Sequence, residues 1–79
     1  MTYSEVIKST NPADWYKYAG ERMADADRNR AEAHRIEAAG EKAKASAYRH
    51  MANSQITQAA GARKRARELE AENCAGEGI

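Results

Sequence analysis

With 79 residues, the chain has room for one small domain. Hydrophobic residues make up 42% of it, but alanine dominates them and Phe is absent, so an isolated monomer built on a conventional core of large side chains is not expected. The 13 Lys and Arg nearly balance the 12 Asp and Glu, and a net charge of +1 gives no general basicity that would make nucleic acid the default partner.

The first eleven residues read as a separate arm. Thr2-Tyr3-Ser4-Glu5 fits a capping box, in which the first and fourth side chains satisfy backbone donors at a helix start. This predicts a short helix over about residues 4–8, with Tyr3, Val6 and Ile7 as its apolar side; an extended arm is the alternative. The arm lacks the basic start and apolar run of a secretory signal.

Asn11-Pro12 marks the next helix start. Asn is a favoured N-cap, Pro suits the first helical position, and Asp14 follows where the helix dipole favours an acid. From there to about Asn73 no proline recurs, and Ala, Arg, Glu, Lys and Gln dominate. The fold class is therefore all-α: one long alanine-rich helix over about 12–73, assembling into a bundle or array. Such a rod would be roughly 90 Å long. The alternative is a helical hairpin bent near Gly40 or around Asn53. Residues 74–79 read as a loose tail, with Ile79 outside any helical context. Cys74 is the single cysteine, so no intramolecular disulfide forms and a free thiol is expected. The longest uncharged run, His50 to Ala62, is too short and polar to span a bilayer, which needs ~20 apolar residues. A soluble protein, intracellular or within a soluble assembly, is expected.

The rod carries a heptad repeat. Alanine recurs at Ala24, Ala31, Ala38, Ala45, Ala52, Ala59 and Ala66. A second small column lies two residues later, at Ala26, Ala33, Gly40, Ala47, Ser54 and Gly61, and Ala19 extends it backwards. A seven-residue period keeps one helix face against a partner. Two residues correspond to about 200° around a helix, so the columns define two opposed faces, each allowing close approach of a neighbour. The unbroken register across Gly40 favours the continuous helix. Only from Tyr48 onward is the residue three places after the first-column alanine generally apolar: Tyr48, Gln55, Ala62 and Leu69 follow Asp27, His34 and Glu41. Trp15, Tyr16, Tyr18 and Met23 at one end, and Tyr48, Ile56 and Leu69 at the other, are the candidate anchors, since aromatic residues dominate interface energetics.

No constellation points to chemistry. Asp25-Ala26-Asp27-Arg28-Asn29 begins like a calcium loop, but Arg30 and Ile36 stand where that loop needs Gly and Glu. His34 and His50 have no further ligand at metal spacing. No metal, cofactor or catalytic set is assigned. Arg63, Lys64, Arg65 and Arg67 form the densest basic run, a candidate contact for phosphate or an acidic partner, although Glu68, Glu70 and Glu72 follow at spacings that suit pairing along a helix.

These features lead to a non-enzymatic structural protein that packs along two small-residue faces, with itself or a larger assembly as partner. Length and composition are similar to those of small helical components of viral particles and other assemblies, without a motif that specifies one. A small helical adaptor or inhibitor docking on one protein is the first alternative, and a nucleic-acid-associated helical protein the second.

Overall fold

A computed structural model describes residues 1–77. Three helices follow in order: α1 (Tyr3–Val6), α2 (Pro12–Ala38) and α3 (Lys42–Glu77). The expected all-α class is observed. Its form is the hairpin bent near Gly40, and the uninterrupted rod is not what the chain adopts. The molecule measures 61 × 19 × 13 Å, too short for a straight helix of some 60 residues at about 1.5 Å per residue.

The start signals act as the sequence predicts, but the bounds differ: α1 spans Tyr3–Val6 rather than residues 4–8, and α3 continues to Glu77 through residues expected in a loose tail, while Ile79 lies outside the described residues. The Thr2 hydroxyl caps α1 by accepting from the Glu5 N–H at 3.4 Å and donates to the Glu5 carboxylate at 3.1 Å. Asn11 caps α2 by accepting from the Ala13 N–H at 3.0 Å, with Pro12 in the first turn. The arm is tied down between these caps. The Trp15 indole N–H donates to the Ser9 carbonyl at 3.0 Å, the Ser9 hydroxyl donates to Asp14 at 2.7 Å, and the Met1 ammonium sits 3.0 Å from Glu21. Val6 of the arm is fully buried.

The bend follows from one residue. Ala39 still has right-handed backbone geometry, whereas Gly40 has φ +89°. An L side chain is disfavoured in that region, and glycine enters it freely. The Gly40 N–H donates to the Glu37 carbonyl at 2.9 Å and the Glu41 N–H to the Ile36 carbonyl at 3.2 Å. Together these form a Schellman cap, which satisfies carbonyls that a continuing helix would otherwise have used. The expectation that Gly40 is a packing position within a rod is thus corrected: it is the exposed corner of the hairpin.

The turn also divides the two small columns. In α2 the second column is buried, at Ala19, Ala26 and Ala33; in α3 the first is buried, at Ala45, Ala52, Ala59 and Ala66. Their continuations, Ala24, Ala31 and Ala38 on α2 and Ala47, Ser54 and Gly61 on α3, are exposed. The hairpin therefore closes on one alanine-lined seam with small residues on both sides, the arrangement that lets two helices approach closely.

Larger side chains close the two ends. Val6, Trp15, Tyr18 and Leu69 join Ala19, Ala59, Ala62 and Ala66 in the cluster at the open end, with Met1 and Met23 packed against it. Near the turn, Ala33, Ile36 and Ala45 form a second cluster beside Tyr48. Between the two clusters lie the buried Ala26 and Ala52, and beside them the Asn29 side-chain amide donates to the Gln55 carbonyl oxygen across the helices at 2.8 Å.

Candidate interaction surfaces

The hairpin sorts the residues singled out in the sequence into two groups. Its own fold takes up Trp15, Tyr18, Leu69 and the buried halves of both columns, and Met23, Tyr48 and Ile56 are half-buried. Tyr16 is 40% exposed. The aromatic end is thus chiefly an internal packing site, with Tyr3 tilted against Tyr18 at 6.1 Å between ring centres and the Arg22 guanidinium 5.5 Å from the Tyr18 centroid.

Several charged residues of α2 are paired with one another. Arg22 lies 2.6 Å from Asp25, which also receives Arg28, and Arg35 pairs with Glu32. The Arg35 guanidinium holds the Glu32 carboxyl below the usual carboxylate range, and the Met1 ammonium does the same for Glu21. Near the turn Arg49 of α3 pairs with Glu37 of α2. The basic run is divided by the helix it lies on. Arg65 turns toward Glu68 at 3.5 Å and Glu72 at 3.7 Å, while Arg63, Lys64 and Arg67 are exposed. The Glu70 carboxylate, as a hydrogen-bond partner, raises the Tyr16 phenol above its ordinary value.

One side of α3 has a different character. Ala47, Met51, Ser54, Gln58 and Gly61 follow each other at alternating spacings of four and three residues, so they share one helix face. All five are exposed and none is charged. Two concavities lie along this strip. One, of about 350 Å³, is lined by Tyr3, Trp15, Tyr18, Gln58, Gly61, Ala62 and Arg65. The other, of about 360 Å³, is lined by Arg22, His50, Met51, Ser54, Gln55 and Gln58. Gln58 borders both, so the two concavities adjoin on this side of α3. A third concavity, of about 220 Å³, is bounded by Arg30, His34, Arg49 and Asn53.

Among the described residues, no three or more His, Cys, Asp and Glu side chains gather as metal ligands, and no helix is long and apolar enough to cross a membrane. Cys74 is exposed and unpaired.

The sequence reading missed the Asn29–Gln55 contact and the cluster around Arg30. The joining step has no local signature in either case, because it brings together residues fifteen or more positions apart and depends on the bend. Comparison with protein-family models, with curated proteins and with solved structures finds no match for this chain.

Proposed function

We propose that this chain is a non-enzymatic assembly protein, a helical hairpin that packs against a second copy of itself through the outer face of α3. The observation that carries this reading is the exposed strip Ala47, Met51, Ser54, Gln58 and Gly61. It runs roughly 21 Å along the helix without a formal charge, in a chain in which 32% of residues are charged. Small residues on its floor allow another helix to come close, and Met51, 45% exposed, supplies an adaptable apolar contact. The matching outer stripe of α2, Ala24, Ala31 and Ala38, is interleaved with Asp27, Arg28 and Arg35 and is the less favourable side to desolvate.

A second reading, a hairpin that docks on a different protein, has its own support. The seam is already filled from within, so the chain does not need a second copy to cover its buried alanines. Nucleic-acid association is less favoured, since Arg65 in the basic run is engaged by Glu68 and Glu72.

Sedimentation equilibrium distinguishes the first two. Self-assembly predicts a molar mass that rises with concentration in the micromolar to millimolar range, and a return to one chain in Ser54→Arg with helicity unchanged. A mass of one chain throughout that range overturns self-assembly and leaves docking on another protein.

A further inference from the structure

The concavity bounded by Arg30, His34, Arg49 and Asn53 shares no lining residue with the two concavities beside the α3 strip. Arg30 and His34 are four residues apart on α2, and Arg49 and Asn53 are four apart on α3, so each pair occupies successive turns of one helix face. The hairpin brings the two pairs together around one space of about 220 Å³. That is several times the ~30 Å³ a water molecule occupies in the liquid. Two guanidinium groups, an imidazole and a carboxamide line it, and no carboxylate does.

The pairing pattern sets Arg30 apart from the other arginines of α2. Arg22, Arg28 and Arg35 are each held by a carboxylate on their own helix. Among the described residues, Arg30 forms no ion pair, and neither the His34 nor the Asn53 side chain hydrogen-bonds within the chain. Arg49 has a single carboxylate partner, Glu37, which does not line the space. At the heptad positions around the cluster stand Met23 and Glu37 on α2, and Lys42 and Ile56 on α3, so the basic positions continue by one step only, toward the turn. A long polyanion needs a longer basic track, whereas a compact oxyanion needs only a local convergence. Guanidinium groups suit such an anion because their planar fork gives charge-assisted, paired hydrogen bonds.

We propose that Arg30, His34, Arg49 and Asn53 form a binding site for a single tetrahedral oxyanion, a phosphate group carried either as the free ion or as a phosphomonoester. Arg30 and Arg49 supply the charge from opposite helices, and His34 and Asn53 add further hydrogen-bond donors. Glu37 acts as a competitor that holds Arg49 when the site is empty. The proposal depends on the hairpin and is independent of the assembly reading.

The test is a side-chain NMR titration of the full chain with inorganic phosphate and, separately, with phosphoserine. Saturable shifts are expected at the Arg30 and Arg49 Nε–H groups and at the Asn53 amide. The affinity should fall at least about fivefold in Arg30→Gln, the loss of one charge-assisted partner. Arg35→Gln removes the same charge elsewhere on α2 and should change affinity less than about twofold. Glu37→Gln should tighten binding by freeing Arg49. Should Arg30→Gln lose helicity, Asn53→Asp, which places a repelling carboxylate at the exposed site, carries the same test. Tighter binding of phosphoserine would identify the monoester as the source, and equal binding the free ion. The proposal is overturned by shifts that do not saturate, by equal losses in Arg30→Gln and Arg35→Gln, or by a single-stranded oligonucleotide that binds more tightly than phosphate and is weakened as much by Arg63→Gln as by Arg30→Gln.

Discussion

Replacing each of three glycines by alanine should separate the hairpin from the rod. Gly20 and Gly61 lie within α2 and α3, are exposed, and have no heavy atom within 4 Å of a position where a Cβ would sit. Alanine there should stabilise the protein by about 0.8–1.0 kcal/mol each, the helix-propensity difference. Gly40 has the same open space, so no clash opposes a methyl group, but its φ is +89°. An L-residue held in that left-handed region costs roughly 1–2 kcal/mol. The predicted signs are therefore opposite for substitutions that look identical in sequence. For a domain of this size a change of 1 kcal/mol corresponds to roughly 4–8 °C in Tm. Thermal unfolding followed by far-UV circular dichroism should show Gly20→Ala and Gly61→Ala melting higher and Gly40→Ala melting lower. If Gly40→Ala were as stable as Gly61→Ala, with an unchanged mass, the turn geometry would not be what holds the chain in a hairpin.

Two alanines of the same heptad column should respond differently to enlargement. Ala52→Leu overfills the seam and should cost about 1–3 kcal/mol, whereas Ala31→Leu on the exposed side should stay within about 0.5 kcal/mol; equal effects in chemical denaturation would contradict the divided column. Asn29→Leu leaves Gln55 without its partner in the seam and should destabilise by about 1–3 kcal/mol, while Asn29→Leu with Gln55→Leu should recover much of that loss, a pattern a double-mutant cycle measures directly. Glu21 has a folded-state pKa below its ordinary value of 4.5 because of the Met1 ammonium. Its contribution is present above about pH 4.5 and disappears as the pH falls through the lower folded value. Glu21→Gln should therefore flatten the acid limb of the stability profile and leave its slope near neutral pH unchanged; an unaltered acid limb would count against the contact.

Much of the fold was legible locally. Asn11-Pro12 and Thr2-Glu5 act at short range, where backbone donors and side-chain acceptors are neighbours in sequence, and both helix starts fall where those residues place them. The all-α class follows from composition in the same way. The bend was harder to read, because a glycine inside a helix and a glycine at a Schellman corner are the same letter. A discriminating signal was nonetheless present one position type further on. Three residues after Ala19, Ala26 and Ala33 stand Arg22, Asn29 and Ile36, and three after Ala45, Ala52, Ala59 and Ala66 stand Tyr48, Gln55, Ala62 and Leu69. The other halves of the columns are followed by Asp27, His34 and Glu41, and by His50, Thr57 and Lys64. The better seam changes column at Gly40. Of the cluster at Arg30, the shared helix face of Arg30 and His34 was legible from their spacing, but the meeting with Arg49 and Asn53 was not, since it exists only once α2 and α3 are antiparallel.

The column change also explains why an unbroken seven-residue register is compatible with a turn. Counting through Ala39, Gly40 and Glu41 preserves the spacing whether or not those residues are helical, so the period alone cannot report the bend. It does constrain what a straight chain could do. The seam face of α2 and that of α3 are two residues out of phase, about 200° around a continuous helix. A chain straightened through Gly40 would present its two seams on opposite sides. One straight partner could not cover both, and each half would recruit a different copy. The result is an open array rather than a closed dimer, the outcome expected when an exchanged element does not close on itself. The hairpin and the array thus satisfy the same alanines, and the three-residue link selects between them. Gly40 favours closure, which removes both seams from further association, so that under the assembly proposed above only the uncharged face of α3 is left for an already folded hairpin to join others.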